Sequence, residues 1–199
     1  RSFGKKDSLV LNDTTVVKLF YPRLRLEHTV SYNTYNYRYK DARPDSLYYF
    51  YLYNYRTHGE VYLRDLWQQL VNDFSIYQFP DAKNSQQFIK LGARMEIMSG
   101  DFDTGNVKKS FVNTIFHGEY RNKTKNKKWD LGASGQFSFQ GPYAGDYDMQ
   151  LKMLRVLRKK SNALQLGFEN VNRNPSFNFN QNSNFAFVLL PGQKKENNT

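Results

Sequence analysis

The sequence predicts an all-β fold, an antiparallel up-and-down transmembrane β-barrel, with these 199 residues forming an incomplete part of a larger barrel. Three observations lead there. The stretch WDLGASGQFSFQ, from Trp129 to Gln140, alternates without a slip: Trp129, Leu131, Ala133, Gly135, Phe137 and Phe139 on one parity, Asp130, Gly132, Ser134, Gln136, Ser138 and Gln140 on the other. Period two means a strand with one apolar and one wet face, and this run is longer than the usual soluble strand of about 5–6 residues, matching one that crosses a bilayer at a tilt. The same rule recurs along the chain, and the connections roughly alternate between long and short.

Composition agrees. Mean hydropathy is -0.77, only 39% of residues are hydrophobic, and aromatics reach 17%, with 15 Tyr and 16 Phe. Many rings with few aliphatics fits a wall whose strands each turn one face to water and whose interfaces carry aromatic girdles; a Tyr-rich soluble β-sandwich would share that composition. The formal charge of +11 invites a nucleic-acid reading. The basic residues, however, cluster at Lys123 to Lys128, Arg155 to Lys160 and Lys194-Lys195, where turns or the tail are expected, so solvated caps or contacts to anionic lipid head groups are expected instead, and no nucleic acid. Without cysteine there is no thiol chemistry, disulfide or cysteine-based metal site.

The elements follow in order. Residues 1–21 are expected to be an N-terminal strand and turn region. In 22–34, Leu24, Leu26, His28, Val30 and Tyr32 oppose Arg23, Arg25, Glu27, Thr29, Ser31 and Asn33. The segment 63–77 is ambiguous: Leu63, Leu66, Trp67, Leu70, Val71 and Phe74 recur at helical spacing, whereas strand neighbours on both sides and the need to keep parity around a barrel favour a strand. In 87–98, Ile89, Leu91, Ala93, Met95 and Ile97 oppose Lys90, Gly92, Arg94 and Glu96. In 110–121, Val112, Thr114, Phe116, Gly118 and Tyr120 oppose Asn113, Ile115, His117 and Glu119. After 128–140, the strand 147–157 keeps its phase to Leu154, and 163–170 sets Leu164, Leu166 and Phe168 against Gln165, Gly167 and Glu169. A last strand is expected at 185–190, before a polar tail, 191–199.

Long loops are expected at 35–62 and 171–184, and also outside are the FDTGN loop and GPYAGD; the Lys-rich turns NKTKNKK and RKKSN fall on the periplasmic side. Gly105-Asn106 and Gly145-Asp146 suit positions of positive φ. The chain begins at Arg1 with no signal peptide and closes on QKKENNT rather than an aromatic-ended strand, so N- and C-terminal portions are expected to be missing.

Catalytic signatures are absent. His28, His58 and His117 lie far apart with no paired acid at ligand spacing, so no metal or cofactor is expected. Gly132-Ala133-Ser134-Gly135 is a strand of small residues, not a nucleophile elbow. Asp101, Asp103 and Asn106 sketch a Ca²⁺ loop, but the glycine comes early and the twelfth-position Glu is lacking. What stands out is the polar parity itself: Arg23, Arg25, Glu27, Lys90, Arg94, Glu96, His117, Glu119, Arg121, Asp130, Gln136, Lys152 and Glu169. In a barrel these would line the lumen and set its field; on a soluble sheet they would be a solvated face. A second candidate is the tyrosine-rich stretch with Tyr35, Tyr37 and Tyr39, continuing through an outer loop carrying Tyr48, Tyr49, Tyr51, Tyr53 and Tyr55, whose rings suit sugar stacking or protein contact as well as an interfacial belt.

WDLGASGQFSFQGPYAGDYDMQ followed by LQLGFENVNRNPSFNFN resembles the β-barrel porin family of Bacteroidetes outer membranes, in which a glycine-rich strand leads into a G-x-x-A-G-D-Y loop and a later strand runs G-F-E-N into N-x-x-P-S-F. PRLRLEHTVSYNTYNYRYKD is similar to that family's hairpin ribs. The resemblance covers most of residues 20 to 190. It implies a Gram-negative outer-membrane protein, not an enzyme, through which small hydrophilic solutes diffuse passively, with membrane lipid as its other partner. The alternative is an outer-membrane or extracellular β-protein that binds glycans or partner proteins through its Tyr-rich loops.

Overall fold

A computed structural model describes residues 1–12, 15–101, 108–158, 162–174 and 196–198. Among these described residues nine strands form a single antiparallel sheet in chain order: β1 (Ser2–Asn12), β2 (Thr15–Asp41), β3 (Val61–Gln78), β4 (Gln87–Asp101), β5 (Lys108–Lys123), β6 (Trp129–Gln140), β7 (Tyr147–Arg158), β8 (Asn162–Arg173) and β9 (Glu196–Asn198). The order is strictly up and down, and the described sheet is open between β1 and β9. One helix, α1 (Ser46–Tyr53), lies between β2 and β3. No helix among the described residues is long and apolar enough to cross a membrane.

The ambiguous segment is a strand. β3 pairs without interruption with β2, from Leu24↔Gln78 to Asp41↔Val61, and with β4, from Leu66↔Asp101 to Gln78↔Ile89. Backbone hydrogen bonds on both edges outweigh the weak helical periodicity of LRDLWQQLVNDF.

Several boundaries differ from expectation. The loop expected at 35–62 shrinks to 42–60, because Tyr35, Tyr37 and Tyr39 continue β2 opposite Trp67, Asp65 and Leu63. Tyrosine suits a pleated surface, and ring pairs across strands stabilise it. The strand expected at 22–34 also starts earlier: Thr15 to Leu24 pair with β1 in a hairpin running past the end of β3. At the other end of the sheet, β8 reaches Arg173, and three residues of the expected polar tail, Glu196–Asn198, pair with its free edge at Val171–Arg173. The strand expected at 185–190 and the glycine turn at 105–106 lie outside the described residues.

Connections fall on two ends. The turns 79–86 and 124–128 share one end, held by a Lys125–Asp81 ion pair of 2.6 Å. The Asp81 carboxyl accepts from that ammonium and from the Lys83 N–H, which hold it below the usual carboxylate range. Thr124 Oγ1 accepts from the Trp129 N–H (3.1 Å), and Lys127 turns the chain at positive φ. At the opposite, loop end, residues 42–60 and 141–146 fold back over the sheet.

The two faces divide cleanly. One parity of β2–β8, read row by row across the register, carries Leu26, Ile76, Leu91, Gly118, Gly135, Met149 and Asn170, then His28, Phe74, Ala93, Phe116, Phe137, Tyr147 and Asn172. Its side chains stand in the open: Leu91 is 65% exposed, Phe116 50% and Phe168 49%. The buried strand residues Val61, Leu63, Asp65, Ser75, Met98, Asn113, Ile115 and Ser138 all sit on the other parity. The loops 42–60 and 141–146, folded over that side, bury several of these residues.

Candidate functional site

Register brings the polar parity into rows that run across the strands. Nearest the turn end, Arg121, Gly132, Lys152 and Gly167 follow one another on β5–β8. The next row runs Arg25, Tyr77, Lys90, Glu119, Ser134, Gln150 and Glu169 on β2–β8, and the next Glu27, Ser75, Gly92, His117, Gln136 and Asp148 on β2–β7. Beyond it come Asp73 beside Arg94, then Val71 beside Glu96. All thirteen residues expected along the wet face share this parity. Arg23 stands at its turn-end margin, where the Phe79 N–H donates to its carbonyl oxygen (2.9 Å).

The structure brings some of them together. Arg25 pairs with Glu27, and both touch Tyr77: the Arg25 guanidinium lies over its ring, and the Tyr77 hydroxyl donates to Glu27 (3.3 Å). Lys90 Nζ sits 5.2 Å from the centre of the same ring. Arg94 and His117 meet through Asp73, whose carboxylate lies 2.9 Å from Arg94 Nε and 3.1 Å from His117 Nε2 and accepts a 2.9 Å bond from Ser75 Oγ. Further along, Gln150 donates to Glu169 (3.1 Å), and Arg121 lies 3.4 Å from Asp130. Glu96 and Lys152 enter no ion pair among the described residues.

Asp73, Ser75, Tyr77 and Asp148 were not singled out from the sequence. For the first three the signal was there once 63–77 is read as a strand, since odd numbers in that segment then face Arg94 and His117; Asp148 follows from the alternation of 147–157. The helical periodicity of the same segment hid it.

The loop end of this face is crowded and apolar. Trp67 stacks on Tyr35 with ring centres 4.3 Å apart, and buried Met98 packs against Trp67, Phe111 and Tyr143. Tyr143 arrives from the 141–146 loop. Gly141 there, at φ +105°, lies so close to β5 that a Cβ would stand 2.1 Å from Asn113 Oδ1. Tyr49 of α1 packs on Val61 and Leu63. Its hydroxyl lies 2.6 Å from that of Tyr39 and donates to Asp41 (3.1 Å). The Tyr39 bond, burial and the Asp41 carboxylate push its phenol well above the ordinary tyrosine value. The expected outer-loop tyrosines therefore separate: Tyr49 is buried, Tyr55 packs against it, and Tyr48 and Tyr51 are exposed. The Asp101, Asp103, Asn106 group falls largely outside the described residues.

The apolar face has its own order. Among the described residues of its parity on β2–β8, from Leu24 to Tyr32 and across to Phe168, no Asp, Glu, Lys or Arg appears until Arg155 at the turn end, whose guanidinium lies 4.7 Å from the centre of the Trp129 ring. A family model described as "Putative porin" matches residues 10–188.

The chain belongs to that family. The span shared with other porin-family members includes β2–β8 whole, and with them every row of the polar face. No curated protein and no solved structure matches this porin-family chain.

Proposed function

We propose that this chain forms part of the wall of an outer-membrane channel through which small hydrophilic solutes diffuse passively. The partition of charge carries the reading: Asp, Glu, Lys and Arg side chains fill one parity of seven consecutive strands and avoid the other between its rims. A charged side chain at the middle of a bilayer costs about 2–4 kcal/mol, which gives a wall with lipid on one side and water on the other a strong reason to sort its residues this way. The dimensions agree. From Trp129 to Phe139 is ten strand steps, ~33 Å along the strand, and a tilt near 40° reduces that to about the 25 Å of an outer-membrane apolar band. The field inside would come from Arg25, Lys90, Arg94, Glu96, Glu119, Arg121, Lys152 and their neighbours.

The protein should stay in the membrane pellet through a carbonate wash and change gel mobility on heating; release into the supernatant would end the membrane reading. In planar bilayers it should conduct, and Arg94→Glu should move the reversal potential toward cation preference, most at low salt. An open channel with an unchanged permeability ratio would remove Arg94 from the path.

One observation favours a second reading, a docking protein. Leu47, Tyr48, Phe50, Tyr51 and Leu52 are all exposed on the short helix α1, a surface suited to glycans or partner proteins. A silent bilayer together with binding lost on Tyr51→Ala would support it.

A further inference from the structure

Gly132 stands between two cations. In the row nearest the turn end it separates Arg121 on β5 from Lys152 on β7, whose backbones are two strand spacings, about 10 Å, apart. A Cβ at Gly132 would meet nothing within 4 Å. The missing side chain opens a recess of about 350 Å³, within the size range of small-molecule sites.

Its lining carries both signs of charge. Arg121 and Lys152 flank the gap, Glu119 and Asp130 stand beside Arg121, and Ser134 and Gln150 supply a hydroxyl and an amide. Arg121 and Lys123 share Asp130, at 3.4 and 3.6 Å. Lys152 and Glu119, on opposite sides of β6, enter no ion pair among the described residues. Cationic donors thus face one cavity from β5 and β7, and carboxylate acceptors from β5 and β6. No ring of the polar face lines it, and Tyr120 at its edge belongs to the apolar parity. A sugar site would place a ring where hydrogens of the pyranose could stack.

We infer that this recess is a subsite for a small zwitterionic solute with the size and charge pattern of an amino acid or dipeptide. Its carboxylate is taken by Lys152 and Arg121, its ammonium by Glu119, and the amide of a dipeptide by Ser134 and Gln150. The assignment rests on the channel reading above and adds a solute class to it.

The probe is dialanine, compared with N-acetylalaninamide, which is similar in size but carries no charge. In planar bilayers dialanine should interrupt the ion current in a saturable way and the neutral analogue should not. Gly132→Leu fills the recess while improving strand propensity, so the channel should still insert and open, with the dialanine block gone. Lys152→Gln should weaken the block by roughly tenfold, the loss of one charge-assisted hydrogen bond. Equal block by both solutes, or a block unaffected by Gly132→Leu and Lys152→Gln, overturns the subsite and leaves the channel standing. A silent bilayer overturns the channel instead. Equilibrium binding of labelled dialanine to the protein in detergent then decides the subsite alone: saturable binding lost in Gly132→Leu supports it, and no binding overturns it.

Discussion

His117 on β5 touches Asp73 on β3, although the whole of β4 lies between them. The residue of β4 at the crossing is Gly92, paired with Ser75 on one side and His117 on the other. A Cβ there would stand 2.4 Å from His117 Cε1, 2.5 Å from Nε2 and 2.6 Å from Ser75 Oγ. The glycine serves as a gap through which the imidazole lies flat across a strand. The result is a compact network, with the side chains of Asp73 and His117 only 15% and 11% exposed.

Gly92→Ala should therefore break the His117–Asp73 bond without disturbing the strand ladder. The expected loss is about 1 kcal/mol for one polar bond at a partly buried site, read from the midpoint of urea unfolding in lipid vesicles. His117→Gln in the Gly92→Ala background should then cost almost nothing more, because the bond is already gone. Additive losses would show that the crossing does not depend on Gly92.

Leu91 and Ser134 test the division of the two faces. Leu91→Arg puts a guanidinium on the apolar parity near mid-strand and should destabilise the folded wall by about 2–4 kcal/mol. Ser134→Arg puts the same group on the polar parity and should stay within about 0.5 kcal/mol of the parent. Equal costs in a bilayer would contradict a lipid-facing Leu91.

The clasp between turns 79–86 and 124–128 predicts an acid-sensitive margin. Asp81 is held ionised by Lys125, so its contribution is complete above the ordinary carboxylate value of about 4 and fades as pH falls through its lower folded value. Asp81→Asn should lower heat resistance slightly at neutral pH and not at all in strong acid, where parent and variant converge. Because the pair is exposed, added salt should shrink the same difference. A gap between the two proteins that persists in acid would mean that the clasp acts through packing.

Tyr49 predicts the opposite dependence. A phenol raised above its ordinary value is favoured as the neutral form, so its contribution is complete below about pH 10 and declines as pH rises further. Tyrosinate titration should reveal one late-ionising ring, absent in Tyr49→Phe. The same variant should make the segment near α1 more open to trypsin at Arg43 and Arg56 as the Tyr39 and Asp41 bonds disappear.

Parity made the wall legible from sequence. Where Leu, Phe and Met alternate with Lys, Glu and Gln, as in β4 and β6, strand and facing could be read together. β3 was harder because Leu66, Leu70 and Phe74 satisfy both a strand and a helix, and only pairing on both edges decides between them. The reach of β2 was hidden because Tyr37 and Tyr39 suit a strand and a loop equally. Of the polar cluster, Arg94 and His117 were legible as facing residues. Their meeting at Asp73 was not, since it depends on register across three strands and on one glycine. The inward fold of Tyr143 was equally out of reach, because it follows from Gly141 at positive φ beside Asn113.

The strict alternation of the two faces gives the wall something like a reading frame. Deleting Met95 would carry Lys90 and Arg94 to the apolar face and Leu91 to the polar one if the rest of the strand keeps its register, so a single-residue change of length acts on half a strand at once. Changes of two residues restore the frame. The sheet also tolerates an odd residue where it already has a bulge, as between Thr114 and Ile115, where Phe139 is accommodated opposite no partner. Length variation among relatives should therefore gather in the turns and loops, arrive in pairs within strands, or fall at that bulge.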